Sequence, residues 1–235
     1  MLFLVGMSEA MSQVKVADIE NKVNPKLFEA VLKRGFDEFR PSQSKSIQAG
    51  LFDKESLLVC TPTGSGKTMV AEMAAVNNIL NNYGKAIYIV PLKALASEKF
   101  KEFQKRYGHL INIALSIGDS DSADNYLAKY DLIFTTSEKL DSLIRHGPKW
   151  LKEIGTVIVD EIHLLNDAGR GPTLEIVITI LRQFLSKMQL IGLSATIGNP
   201  QSLATWLDAK LIEDDWRPVK LKEGIYMDGT LEFVK

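Results

Sequence analysis

Between Thr61 and Thr68 the chain reads Thr-Pro-Thr-Gly-Ser-Gly-Lys-Thr, placing Gly64, Gly66, a lysine and a hydroxyl at the junction of an apolar run (Leu57, Leu58, Val59, Cys60) and a helical pattern beginning near Met69. A backbone that turns sharply from a strand into a helix points several N–H groups into one concavity, and glycines let that backbone approach an anion with no Cβ in the way. The helix adds its unpaired first-turn N–H groups and the positive end of its dipole. Thr63, Gly64, Ser65 and Gly66 would cradle phosphate, Lys67 would neutralise the β- and γ-phosphates, and the Thr68 hydroxyl would ligate Mg²⁺. The phosphate-loop pattern asks for glycine at its first position, where this chain has Thr61, and glycine-rich turns before helices also occur where nothing is bound.

A second pair of interest ends another apolar run: Val157, Ile158 and Val159 are followed by Asp160 and Glu161. Adjacent carboxylates at a strand end point in different directions, so Asp160 suits the metal through its water shell while Glu161 orients and deprotonates an attacking water. An Asp-Glu pair alone is an ordinary solvated strand end; its place after a phosphate loop in an alternating strand-helix pattern gives it meaning. Ser194 and Thr196 have no adjacent base, which argues against a nucleophilic serine and for hydrogen bonding to the carboxylates.

These residues need a scaffold, and the apolar runs outline one. Strands are expected at 57–60, Ala86–Val90, Ile111–Ile117, Leu132–Thr135, Thr156–Asp160 and Leu190–Ser194. Helices are expected over 24–35 (Asn24 cap, Pro25 in the first turn, Gly35 as stop), after Gln43 to about Phe52, over 68–82 with Met69, Met73, Val76 and Leu80 inward, and over Leu95–Tyr107 with Phe100 and Phe103 buried. Alternation of strand and helix implies a doubly wound α/β domain, a mostly parallel sheet with helices on both faces. Ligands of such sheets sit at the carboxyl ends of strands, where the segments named above all fall.

Length and composition set bounds. A chain of 235 residues accommodates one substantial α/β domain and is too short for two nucleotide-binding domains. Hydrophobic content of 46% and charged content of 24% are those of a folded protein. A net charge of −1 excludes a general polycation, so a nucleic-acid partner would be held in a local groove. The single cysteine, Cys60, forms no internal disulfide, which fits a reducing compartment. The opening apolar run before Met7 lacks a positive flank and is too short for a secretory signal, and no run approaches the ~20 residues of a membrane span. His109, His146 and His163 are scattered and no Cys-x-x-Cys occurs, so zinc is not expected.

Taken in order, Gln43, 61–68, Pro91 to Lys99, Thr135 to Lys139, Asp160-Glu-Ile-His163 and Ser194-Ala-Thr196 resemble the motif series of superfamily 2 DExH-box helicases, across roughly residues 24–220. Phe39-Arg-Pro-Ser-Gln43, Pro91-Leu-Lys-Ala-Leu, Thr136-Ser-Glu-Lys-Leu-Asp-Ser-Leu and Asp167-Ala-Gly-Arg-Gly-Pro-Thr-Leu-Glu175 are similar in particular to archaeal Hjm DNA helicases, relatives of the helicase region of polymerase theta. The resemblance implies a RecA-like P-loop NTPase fold using ATP and Mg²⁺, with catalysis by Lys67, Asp160 and Glu161, Gln43 reading the adenine edge and Phe36 a candidate to pack on the base. It implies that His163, Ser194 and Thr196 couple nucleotide state to movement. Lys93, Ser97, Lys99, Thr135, Thr136, Lys139 and Arg145 would line a path for single-stranded or forked DNA, with unwinding from 3′ to 5′ at stalled replication forks.

The same resemblance divides the chain into an extension (1–23), a first motor domain (24–215) and the start of a linker (216–235) toward a second RecA-like domain on the same full-length polypeptide, and implies a cytoplasmic, nucleoid-associated protein. That second domain would supply arginine fingers, so this chain alone should bind ATP better than it hydrolyses it. An RNA helicase is the neighbouring alternative, since RNA is told from DNA at its 2′-OH, which a sequence does not display. A GTP-controlled switch is disfavoured: the one Asn-Lys, at Asn21-Lys22, is not followed by the guanine-reading Asp. A nucleotide-dependent binding module with little turnover is the remaining alternative.

Overall fold

The computed structural model describes residues 13–118, 124–219, 224–227 and 230–233. The strands are β1 (Leu57–Cys60), β2 (Lys85–Ile89), β3 (Ile113–Ser116), β4 (Leu132–Thr135), β5 (Ile154–Val159), β6 (Gln189–Ser194) and β7 (Lys210–Glu213), with a separate pair, β8 (Gly224–Met227) and β9 (Thr230–Phe233). The helices are α1 (Pro25–Leu32), α2 (Pro41–Gln48), α3 (Lys67–Leu80), α4 (Lys93–Tyr107), α5 (Ser137–His146), α6 (Gly171–Phe184) and α7 (Pro200–Leu207). Seven strands form one sheet in the order β3-β4-β2-β5-β6-β1-β7, every pairing parallel.

Parallel strands covered on both faces must be apolar on both faces, and alternate residues of each strand divide between two cores. Leu57 and Val59, Ala86 and Tyr88, Leu132 and Phe134, Ile191 and Leu193 face the layer built from α1–α4. Leu58 and Cys60, Ile87 and Ile89, Val157 and Val159 face the layer of α5–α7, with Leu140, Leu143, Leu174, Val177, Ile178 and Leu207 opposite.

Two buried polar clusters tie elements together. Asn78 Nδ2 donates to Thr156 Oγ1 (2.8 Å) and to Gln189 Oε1 (2.7 Å), joining α3 to β5 and β6. The Glu72 carboxylate, 1% exposed, is held by Arg34 at 2.7 Å, by Arg106 and by the Tyr107 hydroxyl at 2.9 Å.

Several element bounds differ from the sequence expectation. Val14, Val16, Ile19 and Val23 are buried in the first core, and the Val14 N–H donates to Ser44 Oγ at 3.0 Å, so from residue 13 onward the expected extension is packed against the domain. Residues 1–12 of that extension lie outside the described residues. The expected helix reaching Phe52 ends at Gln48 and is followed by a single 3-10 turn, Leu51–Asp53. β7 was not expected: in Lys210-Leu-Ile-Glu213 only Ile212 is fully buried, because this strand is a sheet edge. Within the expected linker, 224–227 and 230–233 pair as an antiparallel hairpin. Phe103 is buried as expected, whereas Phe100 is half-buried. Among the described residues no helix is long and apolar enough to cross a membrane.

Candidate active site

The loop 61–68 leaves β1 and enters α3 through two left-handed glycines, Gly64 at φ +84° and Gly66 at φ +94°. The Thr61 and Ser65 hydroxyls hydrogen-bond at 2.8 Å across the loop, and the Thr61 N–H donates to the Ser194 carbonyl at the end of β6. Thr61 therefore stitches the loop to the neighbouring strand. Thr63 and Gly64 are exposed at the tip while Ser65 is buried.

Lys67, in the first turn of α3, is 8% exposed, and among the described residues no carboxylate forms an ion pair with it. A buried ammonium without a counter-ion, beside the N–H groups of a helix start, favours an anion.

Asp160 follows β5 and Glu161 begins the turn after it. Asp160, 5% exposed, accepts hydrogen bonds from the Tyr88 hydroxyl (3.1 Å, to Oδ2) and from the Glu161 N–H (3.1 Å, to Oδ1). Burial, reinforced by the adjacent Asp160 carboxylate, pushes the Tyr88 hydroxyl well above its usual range, so it remains a donor. Glu161 adopts a left-handed backbone (φ +50°). Such strain costs about 1–3 kcal/mol, and residues that hold it cluster at functional sites. His163 Nδ1 lies 3.4 Å from Glu161 Oε2.

Lys99 reaches this place from α4. Its Nζ donates to Thr68 Oγ1 at 3.0 Å and lies 3.7 Å from Asp160 Oδ2. The loop hydroxyl and the strand carboxylate thus converge on one positive centre, which is the arrangement a divalent ion shared between them needs. Among the described residues no group of three or more His, Cys, Asp or Glu side chains is placed to hold a metal ion. Lys99 is accordingly located at the phosphate loop, away from the strand path expected for it.

Gln43 is 4% exposed with both ends of its amide engaged: Nε2 donates to the Gly66 carbonyl (3.0 Å) and Oε1 accepts from the Arg40 N–H (3.0 Å). A cavity of about 420 Å³ opens beside it, lined by Arg34, Phe36, Arg40, Gly66, Thr68 and Arg106 among others. Phe36 is there, as expected. Arg40, which sequence reading passed over, donates to the Gly64 carbonyl at 2.8 Å and sits 5.4 Å from the Trp216 ring.

Ser194 ends β6 in register with Cys60 of β1. Its Oγ is buried without a hydrogen-bond partner of ordinary geometry, the Cys60 thiol beside it being a weak one. Thr196 is exposed.

The remaining expected residues divide. Lys93, Thr136 and Lys139 line a cavity of about 570 Å³ together with Pro91, Ser142 and Arg170. Lys139 is 5% exposed and lies 2.8 Å from Asp124, while Thr136 caps α5 by accepting from the Lys139 N–H. Thr135 is fully buried, Ser97 donates to the Lys93 carbonyl one turn back, and Arg145 pairs with Asp141 on an exposed helix face; none of the three lines the cavity. Arg170, which the sequence reading did not single out, also lines a small cleft beside Asp160 and Glu161. Its signal was present in Asp167-Ala-Gly-Arg170, where Asp167 Oδ1 accepts from the N–H groups of Gly169 and Arg170 to start α6.

Known proteins share this sequence and fold. The family model described as DEAD/DEAH box helicase matches residues 40–203. A Pyrococcus abyssi protein named ATP-dependent DNA helicase Hel308 is 50% identical over 212 residues, covering 89% of this chain and 29% of the relative. Its namesake in Methanocaldococcus jannaschii is 53% identical over 216 residues, covering 89% of this chain and 18% of the relative. Among solved structures, DUF1998 helicase MrfA bound to DNA superposes with a TM-score of 0.70 at 25% identity, over 83% of this chain and 30% of that one. The chain spans less than a third of the length of each of these relatives.

Proposed function

The chain belongs to the DEAD/DEAH box helicase family, and we propose that it is the first, ATP-binding motor domain of a longer ATP-dependent DNA helicase. The observation that carries this reading is Lys67: a buried ammonium at a helix start, unpaired among the described residues, beside a loop hydroxyl and a strand-end carboxylate that share one cation. In this reading the N–H groups of Thr63 to Lys67 cradle the phosphates, and Thr68 with Asp160 holds Mg²⁺. When bound, that ion neutralises charge developing on the transferred phosphoryl group. Glu161, held in a left-handed backbone beside Asp160, orients the attacking water and takes its proton. Tyr88 fixes the Asp160 carboxylate from behind. His163 against Glu161, and Ser194 between the loop and β6, sense the nucleotide state. Gln43 reads adenine after releasing Gly66.

Single-stranded or forked DNA runs along the cavity of Lys93, Thr136 and Arg170, held by its backbone. Among the described residues no aromatic side chain lines that cavity, which suits contact indifferent to base sequence. From Trp216 onward the polypeptide leads to a second RecA-like domain that supplies arginine fingers, worth roughly 10³–10⁵ in turnover. The complete protein works on the chromosome in the cytoplasm, unwinding from 3′ to 5′ at stalled forks. The test is binding of a fluorescent ATP analogue and steady-state turnover by this chain with and without single-stranded DNA. Mg²⁺-dependent binding that disappears in Lys67→Ala, with turnover near background whatever the DNA, is expected. Absence of Mg²⁺-dependent binding would overturn the reading.

A further inference from the structure

Thr68 and Asp160 approach one another from different elements, yet they do so around an ammonium: Lys99 Nζ is 3.0 Å from Thr68 Oγ1 and 3.7 Å from Asp160 Oδ2. The Lys99 side chain is 17% exposed and that of Asp160 is 4%, so the contact is largely withdrawn from solvent and weakly screened. The Asp160 carboxylate also accepts hydrogen bonds from the Tyr88 hydroxyl and the Glu161 N–H, both neutral donors, and Arg170 and Glu161 line the cleft beside it. Lys99 is therefore the one full positive charge that the described residues bring to this carboxylate within ion-pair distance.

Two like charges cannot share one space, and a divalent ion held by Thr68 and, through its water shell, by Asp160 would need the space this ammonium fills. We infer that Lys99 is an exchangeable internal cation: it holds Thr68 and Asp160 together in the absence of the ion, and the ion must displace it. This rests on the nucleotide-binding reading above and adds to it a positioning residue that sets how much Mg²⁺ the site requires.

Exchange also has a reach. Lys93 lines the cavity assigned to DNA, and Lys99 lies six residues further along α4, about 9 Å of helix rise. Release of Lys99 frees the middle of α4 from Thr68 and Asp160 while the helix's first residue, Lys93, borders the strand path. One helix thus touches both places where ligands are expected.

Lys99→Met removes the charge and keeps an unbranched apolar stem; Lys99→Gln serves if the first variant folds poorly, and Lys99→Arg retains a cation. Mn²⁺ binding to the nucleotide-free protein, read by electron paramagnetic resonance, is expected to be roughly tenfold tighter or more in Lys99→Met, the scale of a lost charge-assisted hydrogen bond. That gain should vanish in the double variant Lys99→Met/Asp160→Asn and be absent in Lys99→Arg. In parallel, the Mg²⁺ concentration that half-saturates binding of fluorescent ADP is expected to fall by a similar factor in Lys99→Met. If wild type binds fluorescent ADP with a clear Mg²⁺ requirement and Lys99→Met leaves both metal readouts unchanged or weakened, the inference about Lys99 is wrong and the nucleotide reading stands. If wild type binds no nucleotide, both fall together.

Discussion

Lys139 Nζ lies 2.8 Å from Asp124 Oδ2, with the two side chains 3% and 11% exposed. Family resemblance places Lys139 among DNA contacts, but a lysine this enclosed is in the first place a structural partner of the segment that carries Asp124. Removing one member of a buried pair strands the other charge, at about 3–5 kcal/mol. Lys139→Ala is therefore expected to lower unfolding stability by an amount of that order in urea melts. Lys93→Ala, at an exposed position, should leave stability within about 0.5 kcal/mol while weakening single-strand binding. Equal stability of the two variants would show the Lys139 pair to be energetically idle.

At Gly66 a Cβ would stand 2.6 Å from Gln43 Nε2, and the backbone is left-handed. Gly66→Ala is expected to break the hydrogen bond from Gln43 to the loop and to strain the turn by about 1–2 kcal/mol. Calorimetric melting together with fluorescent nucleotide titration checks this. Loss of nucleotide affinity exceeding the loss of stability is the expected pattern, because the distortion falls on the loop itself.

Ser194 Oγ has little to lose in the absence of ligand. Ser194→Ala should change stability by no more than about 0.5 kcal/mol, since no well-formed hydrogen bond is removed. In the complete helicase it should depress DNA-stimulated turnover while nucleotide binding persists. A large destabilisation would mean that the hydroxyl has a strong partner.

Glu72 is the reverse case, a carboxylate gripped by Arg34, Arg106 and Tyr107. Glu72→Ala leaves two partly buried guanidinium groups facing each other and is expected to cost about 3–5 kcal/mol. Guanidinium chloride unfolding, monitored by far-ultraviolet circular dichroism, reads the loss.

Alkaline pH should weaken the fold in a defined direction. Burial, aided by the nearby Glu213 carboxylate, pushes the Cys60 thiol up to about 11 from its ordinary 9.0, and burial beside Glu72 raises the Tyr107 hydroxyl as Asp160 and burial raise Tyr88. These groups stay protonated when folded but release protons from about pH 9–10 once unfolded. Over that range the unfolded state binds fewer protons than the native one, so unfolding becomes easier as pH rises. Below pH 9 the contribution is fully present. Melting temperature followed from pH 7 to 10.5 should be flat and then fall, and at pH 8 Cys60 should react with a thiol reagent only as fast as the protein opens.

Much of this architecture was legible because it rests on strands buried on both faces, which must be written as continuous apolar runs such as Leu57–Cys60 and Thr156–Val159. The edge strand β7 escaped because an edge needs few inward residues, here Ile212 toward one core and the half-buried Leu211 toward the other, and tolerates charge elsewhere. Loop 61–68 and Asp160-Glu161 were readable for a different reason: their chemistry depends on local backbone geometry. Basic residues were the hardest. Lys93, Lys99, Lys139 and Arg145 look alike in sequence, yet they line a cavity, bridge Thr68 to Asp160, sit enclosed with Asp124, or lie on an exposed helix beside Asp141. Helical spacing alone does not say which neighbouring element each will meet. Arg40 and Arg170 were missed in the same way, being placed by contacts with Gly64 and with the turn at Asp167.

The sheet order carries a consequence for how this domain comes into being. β1, which carries the phosphate loop, has as its neighbours β6 and β7, strands made of residues 189–194 and 210–213. A ribosome releasing the chain from its amino terminus exposes Leu57–Cys60 long before either neighbour exists. Until then the strand has no ladder to join, and closing so long a loop is slow. The loop written in the first third of the sequence is therefore among the last parts to be assembled, and a nascent chain stalled before Gln189 should present that apolar segment to chaperones.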